Sequence, residues 1–253
     1  MSSKSQTEGL ELAELVFYAI ASLPATYCLI KHGRPGLLGW LNVLIFCGLR
    51  IASNAMAYHD MTTTGNPNKA ASIISGIGLS PLLLAALNLL NETNTSIRDN
   101  LPAIVKSYGS ILAHWVIIAG VALAAASSNG KLILLRIGLI VFGTGWMFVA
   151  ILTYISFRAP VSSQRADGEK KLLIAIMAAL PLIGVRILYG IAIAFVDGNM
   201  LGGSLPVRVI LGTLPEFLVM IAYVGVGLVT RNVAEQRLAG SKQTMDYTGP
   251  AYT

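Results

Sequence analysis

Charged side chains are scarce in this chain of 253 residues, since Asp, Glu, Lys and Arg together make up only 12% of it. A soluble domain carries roughly 25% charged residues. Hydrophobic residues reach 55% and the mean hydropathy is +0.69. This composition excludes a disordered chain, which is polar, and indicates a protein embedded in lipid.

Several sequence motifs of known chemistry are also missing. Cys28 and Cys47 are the only cysteines and lie in apolar runs, so we expect no disulfide scaffold. The sequence contains no glycine-rich phosphate loop, no His or Cys cluster at metal-ligand spacing and no Gly-x-Ser-x-Gly elbow. It also lacks paired Asp-rich diphosphate motifs, a lysine in the last apolar stretch and the signatures of rhodopsin-like receptors. We therefore expect no metal and no cofactor.

Seven apolar stretches are each long enough to cross a bilayer, which takes about 20 residues. The sequence predicts an all-α, polytopic membrane protein with seven transmembrane helices in one bundle over residues 10–230. Residues 1–9 form a polar N-terminus and residues 231–253 a short polar tail. The predicted spans are 10–30, 36–58, 70–90, 107–127, 132–157, 172–196 and 206–230.

The basic residues predict the orientation of the bundle. The links after the first, third and fifth spans, with the tail, hold eleven of the 18 Lys and Arg residues, and the opposite side holds five. The positive-inside rule then places the C-terminus in the cytosol and the N-terminus outside or in the lumen, in the endoplasmic reticulum or plasma membrane. Because the charges lie between apolar segments, we expect membrane lipids and no nucleic acid as partners. The sequons at Asn91 and Asn94 fall on the cytosolic side, so a glycan there would reverse this orientation.

Ionisable residues within spans are the most informative feature, because each costs at least about 2.5–3.5 kcal/mol on insertion. From the helix rise, Arg50 lies roughly 12 Å from the outer end of its span, and Arg186 and Glu216 roughly 15 Å. Glu14 lies at roughly 6 Å. Charges of opposite sign from different helices therefore fall in one layer of the outer half.

Polar residues three or four positions away share helix faces with these charges. We therefore predict a polar pocket in the outer half of the bundle, with Glu14 at its edge. His114 lies deeper, roughly 20 Å from the outer surface, and is a further candidate ligand contact. Asp60 caps the outer end of the second span. The predicted pocket is lined by Arg50, Asn54, Tyr58, Arg186, Tyr189, Glu216 and Tyr223.

Each candidate has a structural alternative. In this alternative, the Arg and Glu residues would form buried ion pairs that set helix register, and His114 would be an ordinary hydrogen-bonded residue of the bundle. Tyr18 and Tyr58 would belong to an interfacial aromatic belt. Asp60 would be a loop residue in water, and the link 158–171 would be an orienting loop that touches anionic lipid.

Short motifs around these charges resemble an uncharacterised fungal family of seven-helix membrane proteins. They are Glu14, Gly39-Trp40 followed by Arg50, Arg186-Ile-Leu-Tyr189 and Leu214-Pro215-Glu216. The resemblance covers about residues 10 to 230. It implies the seven-helix fold and a fungal source, but no reaction.

A looser resemblance is to fungal integral-membrane terpenoid cyclases, which are similar in size and also have seven helices. That resemblance implies one acid near the end of the second span and another in the seventh, which protonate an epoxide or alkene. Asp60 and Glu216 occupy comparable places here, although the surrounding sequence differs.

The leading functional hypothesis is the binding of a small lipophilic, terpenoid- or polyketide-like molecule and, if the protein is an enzyme, its cyclisation or isomerisation without a redox cofactor. Glu216 would then be the acid or base, Asp60 or Tyr189 would assist, and the arginines would orient a polar head group. One alternative is a receptor or transporter in which the Arg–Glu pairs form a conformational lock. The other alternative is a structural membrane protein.

Overall fold

The computed structural model describes residues 3–63, 74, 76, 78–127, 132–160, 165–196 and 204–233. Helices dominate these residues, and no strand occurs among them. The helices are α1 (Ser3–Lys31), α2 (Gly33–Thr63), α3 (Leu79–Thr93), α4 (Gly109–Ala126), α5 (Leu132–Arg158), α6 (Asp167–Val196) and α7 (Leu205–Val229).

Six of these helices, all except α3, are long and apolar enough to cross a membrane. The predicted helical membrane bundle is therefore confirmed, whereas seven spanning helices are not. The exception is α3, which has 15 residues and a length of roughly 22 Å, less than the roughly 30 Å of a hydrocarbon core. The beginning of the predicted span 70–90 lies outside the described residues, apart from positions 74 and 76.

The short helix α3 lies in the centre of the bundle. It packs against α2, α4, α5 and α6, and nearly all of its side chains are buried, including Asn88 and Glu92. A helix that is hydrophobic on all sides is expected in such a central position. Because α3 ends at Thr93, its last carbonyl groups and the buried carboxylate of Glu92 require polar partners inside the protein.

The outer helices form sequential pairs, α1 with α2, α4 with α5 and α6 with α7. Small residues let α4 and α5 approach closely, because a Cβ built at Gly120 would lie 2.6 Å from the Phe142 nitrogen. Large apolar side chains such as Leu23, Trp115 and Ile133 point outward and are mostly exposed, as expected of lipid-facing surfaces. The polar segment before residue 10 is helical from Ser3 onward and belongs to α1.

Candidate functional site

The carboxylate of Glu216 on α7 is the meeting point of four helices. Its Oε1 accepts hydrogen bonds from Arg50 Nη2 of α2 and, at 2.7 Å, from Arg186 Nε of α6. Its Oε2 accepts a hydrogen bond of 3.1 Å from the hydroxyl of Tyr18 on α1. We call these four residues the Glu216 cluster. Both arginines that the sequence places in one layer with Glu216 thus contact its carboxylate directly.

The Glu216 cluster is shielded from solvent and surrounded by aromatic rings. Arg50, Tyr18 and Glu216 are each at most 3% exposed. The Arg50 Cζ lies 5.5 Å from the centre of the Phe46 ring, and the Arg186 Cζ lies 5.7 Å from that of Tyr189. Rings of this kind attract the guanidinium groups by cation–π interaction. In surroundings of low dielectric constant, the electrostatic energy of each charge depends strongly on its pairing with a charge of opposite sign.

A second row of polar contacts lies nearer to the N-terminal ends of α1 and α7. Thr213 Oγ1 donates a hydrogen bond of 2.6 Å to Glu14 Oε1, and Arg208 Nη2 donates one to Glu11 Oε1. Because Glu11, Glu14 and Tyr18 are three, four and seven residues apart, they share one face of α1. The two rows together hold three arginines and three glutamates, so their formal charges balance.

The backbone of α7 departs from regular α-helix just before Glu216. Residues Arg208–Thr213 form a π-helical stretch, and α-helix resumes at Leu214. Pro215 cannot donate a backbone hydrogen bond to the carbonyl of Leu211, and the π-helical stretch includes that residue. Such insertions are frequent at functional sites because they re-aim the side chains on either side.

A small cavity borders the cluster on the Arg186 side. It has a volume of about 20 Å³. The residues that line it are Gly76, Leu79, Leu139, Phe142, Arg186, Ile187 and Gly190. A cavity of this size holds about one water molecule. The glycines leave more room, since a Cβ at Gly190 would lie 3.7 Å from Arg186 Nη1 and one at Gly212 would lie 3.9 Å from Arg186 Nε.

Three further residues of the predicted pocket are buried. Tyr189 is 7% exposed and stacks near Arg186. Tyr223 and Asn54 are also buried. Among the described residues, neither the Tyr223 hydroxyl nor Asn54 Nδ2 has a hydrogen-bond partner.

Tyr58 and Asp60 are not brought to Glu216. They lie near the end of α2, and Asp60 is ten residues beyond Arg50, or roughly 15 Å along the helix. Tyr58 is half-buried. The Asp60 Oδ1 lies 3.6 Å from Nδ1 of the exposed His59. Any joint action of Asp60 with Glu216 therefore stays a prediction.

His114 lies on α4, a helix that contributes no side chain to the Glu216 cluster. Its Nδ1 lies 2.9 Å from the Ser110 carbonyl oxygen, and its Nε2 lies 3.4 Å from Asn88 Nδ2 on α3. These contacts fit a ring that donates from Nδ1 and accepts at Nε2. The geometry agrees with the alternative in which His114 is an ordinary hydrogen-bonded residue of the bundle.

Sequence reasoning misses the part that Tyr18 plays. The sequence suggests an interfacial belt residue, whereas Tyr18 is fully buried and bonded to Glu216. Sequence reasoning also misses Glu11 and Arg208, which lie near helix ends where charges are common. The spacing of Glu11, Glu14 and Tyr18 on one helix face is the signal that could have found Tyr18 and Glu11, whereas no local pattern identifies Arg208.

A second set of buried polar contacts lies at the opposite end of the bundle. The Nδ1 of His32 lies 2.8 Å from Glu92 Oε1 of α3, and its Nε2 lies 3.0 Å from the Gly227 carbonyl oxygen of α7. Both ring nitrogens face acceptors, so both hydrogen bonds form when the ring is protonated. The sequence predicts none of these contacts.

Arg165, in the link between α5 and α6, makes further buried hydrogen bonds at this end of the bundle. It donates to the Thr93 carbonyl at 3.2 Å, to Asn94 Oδ1 at 2.7 Å and to the Ser156 carbonyl at 2.9 Å. We call these four residues the Arg165 network. Burial lowers the pKa of Arg165, and the nearby carboxylate of Glu169 opposes that shift. Arg165 is 3% exposed, so this residue of the link 158–171 is buried within the protein and is not available for the contact with anionic lipid that the alternative interpretation assigns to the link.

The chain belongs to a family described only as a domain of unknown function (DUF7702), whose model matches residues 5–233. This agrees with the resemblance to an uncharacterised family, while the fungal source and the likeness to terpenoid cyclases stay predictions. No curated protein and no solved structure matches the sequence.

Proposed function

We propose that the protein is a receptor or transporter of the helical membrane class, in which the Glu216 cluster is a conformational lock. The observation that carries this proposal is the sharing of one carboxylate by side chains from three other helices. A lock needs contacts that hold one arrangement of helices and can be exchanged for others. Side-chain ion pairs meet this requirement, since buried ion pairs specify an arrangement more than they stabilise it.

The surroundings of Arg186 favour a second arrangement of this side chain. Arg186 borders the small cavity, and Gly190 and Gly212 leave ordinary van der Waals space beside its guanidinium group. The π-helical stretch Arg208–Thr213 gives α7 a segment that can change its hydrogen-bond register. A rotation of α7 would move Glu216 relative to both arginines, and an anionic ligand that competed for the arginines would favour that state.

Acid catalysis by Glu216 is less well supported by this geometry. A general acid must donate a proton, whereas both oxygens of Glu216 accept hydrogen bonds here. Asp60, the second acid of the cyclase hypothesis, lies roughly 15 Å further along α2 than Arg50. We therefore consider the conformational lock better supported than acid-catalysed cyclisation.

Distances between spin labels in the full-length protein test the lock. Labels at Thr63→Cys and Val207→Cys report on the ends of α2 and α7 nearest the cluster, after Cys28 and Cys47 have been replaced by alanine. We expect one narrow distance distribution in the wild-type background and a second, shifted population in Glu216→Gln. Arg186→Gln, which leaves the Arg50–Glu216 pair balanced, should shift the distribution in the same direction.

Two controls make this result specific. Glu8→Gln on α1 removes a glutamate outside the cluster and should leave the distribution unchanged. Labels at Leu38→Cys and Ile174→Cys, near the opposite end of the bundle, should show no second population in any variant. If Glu216→Gln and Arg186→Gln both fold and keep the wild-type distribution, the lock is rejected.

A second candidate function, the binding of a small lipophilic molecule, rests on Tyr223 and Asn54. Buried polar atoms nearly always have a partner, yet the Tyr223 hydroxyl and Asn54 Nδ2 have none among the described residues. The polar group of a lipophilic ligand would supply one. Purified protein exposed to terpenoid and polyketide extracts should retain a compound that Tyr223→Phe releases, and equal retention by both proteins would reject this function.

A further inference from the structure

A cavity between the end of α3 and the beginning of α4 combines cations with amide donors. It has a volume of about 260 Å³. Arg98 and Lys106 line it, together with Asn91, Asn94 and Ser110. It lies beside the Arg165 network, at the opposite end of the bundle from Glu216.

The polar atoms around this cavity are mainly hydrogen-bond donors. Asn94 is 4% exposed, its Oδ1 is occupied by Arg165 and Ser156, and its Nδ2 has no partner among the described residues. Asn91 Nδ2 donates to Ser110 Oγ at 2.8 Å, which leaves the Ser110 hydroxyl proton to be donated in turn. A buried amide donor needs an acceptor, and the two cations beside it favour an acceptor with negative charge.

Among the described residues, no Asp or Glu side chain lines the cavity. Asp99 is exposed, and it is its backbone carbonyl that accepts the hydrogen bond of 2.6 Å from Lys106 Nζ. Glu92 faces His32 at the other side of the α3 end. The charge balance of the lining is therefore positive.

Large apolar side chains are exposed beside the cavity. Ile104, Tyr108 and Ile111 are 48%, 79% and 55% exposed, and Ile111 also lines the cavity. A ligand with a negative head in the cavity can therefore lay hydrocarbon over these side chains. Basic pockets between membrane helices bind lipid head groups in this manner.

We propose that this cavity is a binding site for a phosphate group, carried by an anionic phospholipid of the adjacent leaflet. Arg98 and Lys106 neutralise the phosphate, and Asn94 Nδ2 and the Ser110 hydroxyl donate to its oxygens. The predicted orientation places this end in the cytosol, where the leaflet is rich in anionic lipid. The site is independent of the proposed lock.

Native mass spectrometry of the full-length protein in detergent tests this site, with phosphatidic acid, phosphatidylcholine and inorganic phosphate as probes. We expect phosphatidic acid to bind about tenfold more tightly than phosphatidylcholine, and Arg98→Gln/Lys106→Gln to abolish that difference. Inorganic phosphate distinguishes the sources of the phosphate group. Failure of millimolar phosphate to displace the lipid supports a lipid site, and full displacement supports a site for free phosphate.

Two further variants separate this site from general electrostatic attraction. Arg34→Gln/Arg231→Gln removes two exposed cations near the same end of the bundle and should leave binding unchanged. Asn94→Asp keeps the oxygen that Arg165 and Ser156 use but replaces the amide donor by a negative charge, so it should weaken binding about tenfold. Equal losses in both double variants, equal binding of the two lipids, or wild-type binding by Asn94→Asp would overturn the proposal.

Discussion

In the Glu216 cluster, every hydrogen bond to the carboxylate comes from a side chain, whereas Arg165 donates to two backbone carbonyls. Glu216 is bonded by Tyr18, Arg50 and Arg186 from three helices. Arg165 bonds the carbonyls of Thr93 and Ser156. Both sets are buried and both depend on arginine.

The two sets differ in whether the hydrogen-bond acceptor can move away from the arginine. Side chains can exchange partners if a helix rotates. The carbonyl of Thr93, by contrast, is one of the last carbonyls of α3, which find no partner within the helix, and its position is set by where the helix ends. A cation near a helix C-terminus is also favoured by the helix dipole. We infer that the Arg165 network is fixed scaffold, and that the Glu216 cluster is the part able to change.

The largest expected effect is that of Glu216→Gln. This nearly isosteric change leaves the buried guanidinium group of Arg50 and the partly buried one of Arg186 without a counter-charge, so the free energy of unfolding should fall by about 3–5 kcal/mol. Unfolding of the purified protein by titration with sodium dodecyl sulfate measures it. Glu8→Gln is the matched control, and a loss of under about 1 kcal/mol would mean that the cluster behaves as a surface ion pair.

Removing the whole cluster should restore most of that loss. The combined variant Glu14→Gln, Tyr18→Phe, Arg50→Met, Arg186→Met and Glu216→Met removes these charges together with that of Glu14, so that the remaining Glu11–Arg208 pair is balanced. Because apolar replacement of buried ion pairs is often neutral, we expect its free energy of unfolding to lie within about 1 kcal/mol of wild type. The same titration measures it. A loss as large as that of Glu216→Gln would show that these charges are essential to the fold.

Arg165→Gln should behave differently. It removes charged donors from the carbonyls of Thr93 and Ser156, which costs about 2–3 kcal/mol. Adding Asn94→Leu should not restore stability, since both carbonyls remain buried without a donor. Lys171→Gln, in the same region but exposed, is the control. Recovery in the double variant would remove the distinction between the two ends of the bundle.

The Glu216 end of the bundle is far easier to predict from the sequence than the Arg165 end. A charged residue inside a long apolar run is unusual, and the constant helix rise converts its position into a depth. The sequence alone therefore places Arg50, Arg186 and Glu216 at one level. Arg165 lies in a polar link that has the composition of a solvated loop, so only the tertiary fold shows that it enters the bundle.

Two other features are beyond the reach of local patterns. The rotation of α1 decides whether Tyr18 faces lipid or Glu216, and that rotation depends on how all the helices pack. The central position of α3 has the same origin, because its apolar residues look like those of a lipid-facing helix. Its burial inside the bundle allows it to be shorter than a membrane span.

Two glycines of α7 show that the two ends of the bundle differ in how tightly they are packed. A Cβ at Gly227 would lie 2.1 Å from Trp40 Cη2 and 2.8 Å from Cys28 Sγ, whereas at Gly212 its nearest neighbour would be Tyr189 Cε1 at 3.6 Å. Gly227→Ala should therefore lower the free energy of unfolding by about 2 kcal/mol through overpacking. Gly212→Ala, its control on the same helix, should change it by less than about 1 kcal/mol. Equal effects in the same titration would mean that both ends are equally tightly packed.

Tyr18→Phe should have the smallest effect, because it removes one hydroxyl and leaves both ion pairs of Glu216 in place. We expect a loss of about 1 kcal/mol in the free energy of unfolding, that of a single buried hydrogen bond. Tyr27→Phe, the same change at an exposed position of α1, controls for the hydroxyl itself. In the spin-label experiment, Tyr18→Phe should broaden the wild-type distribution less than Arg186→Gln does, because Tyr18 orients the carboxylate without neutralising it. A shift as large as that of Arg186→Gln would mean that α1 holds the lock through Tyr18, and that the arginines only balance charge.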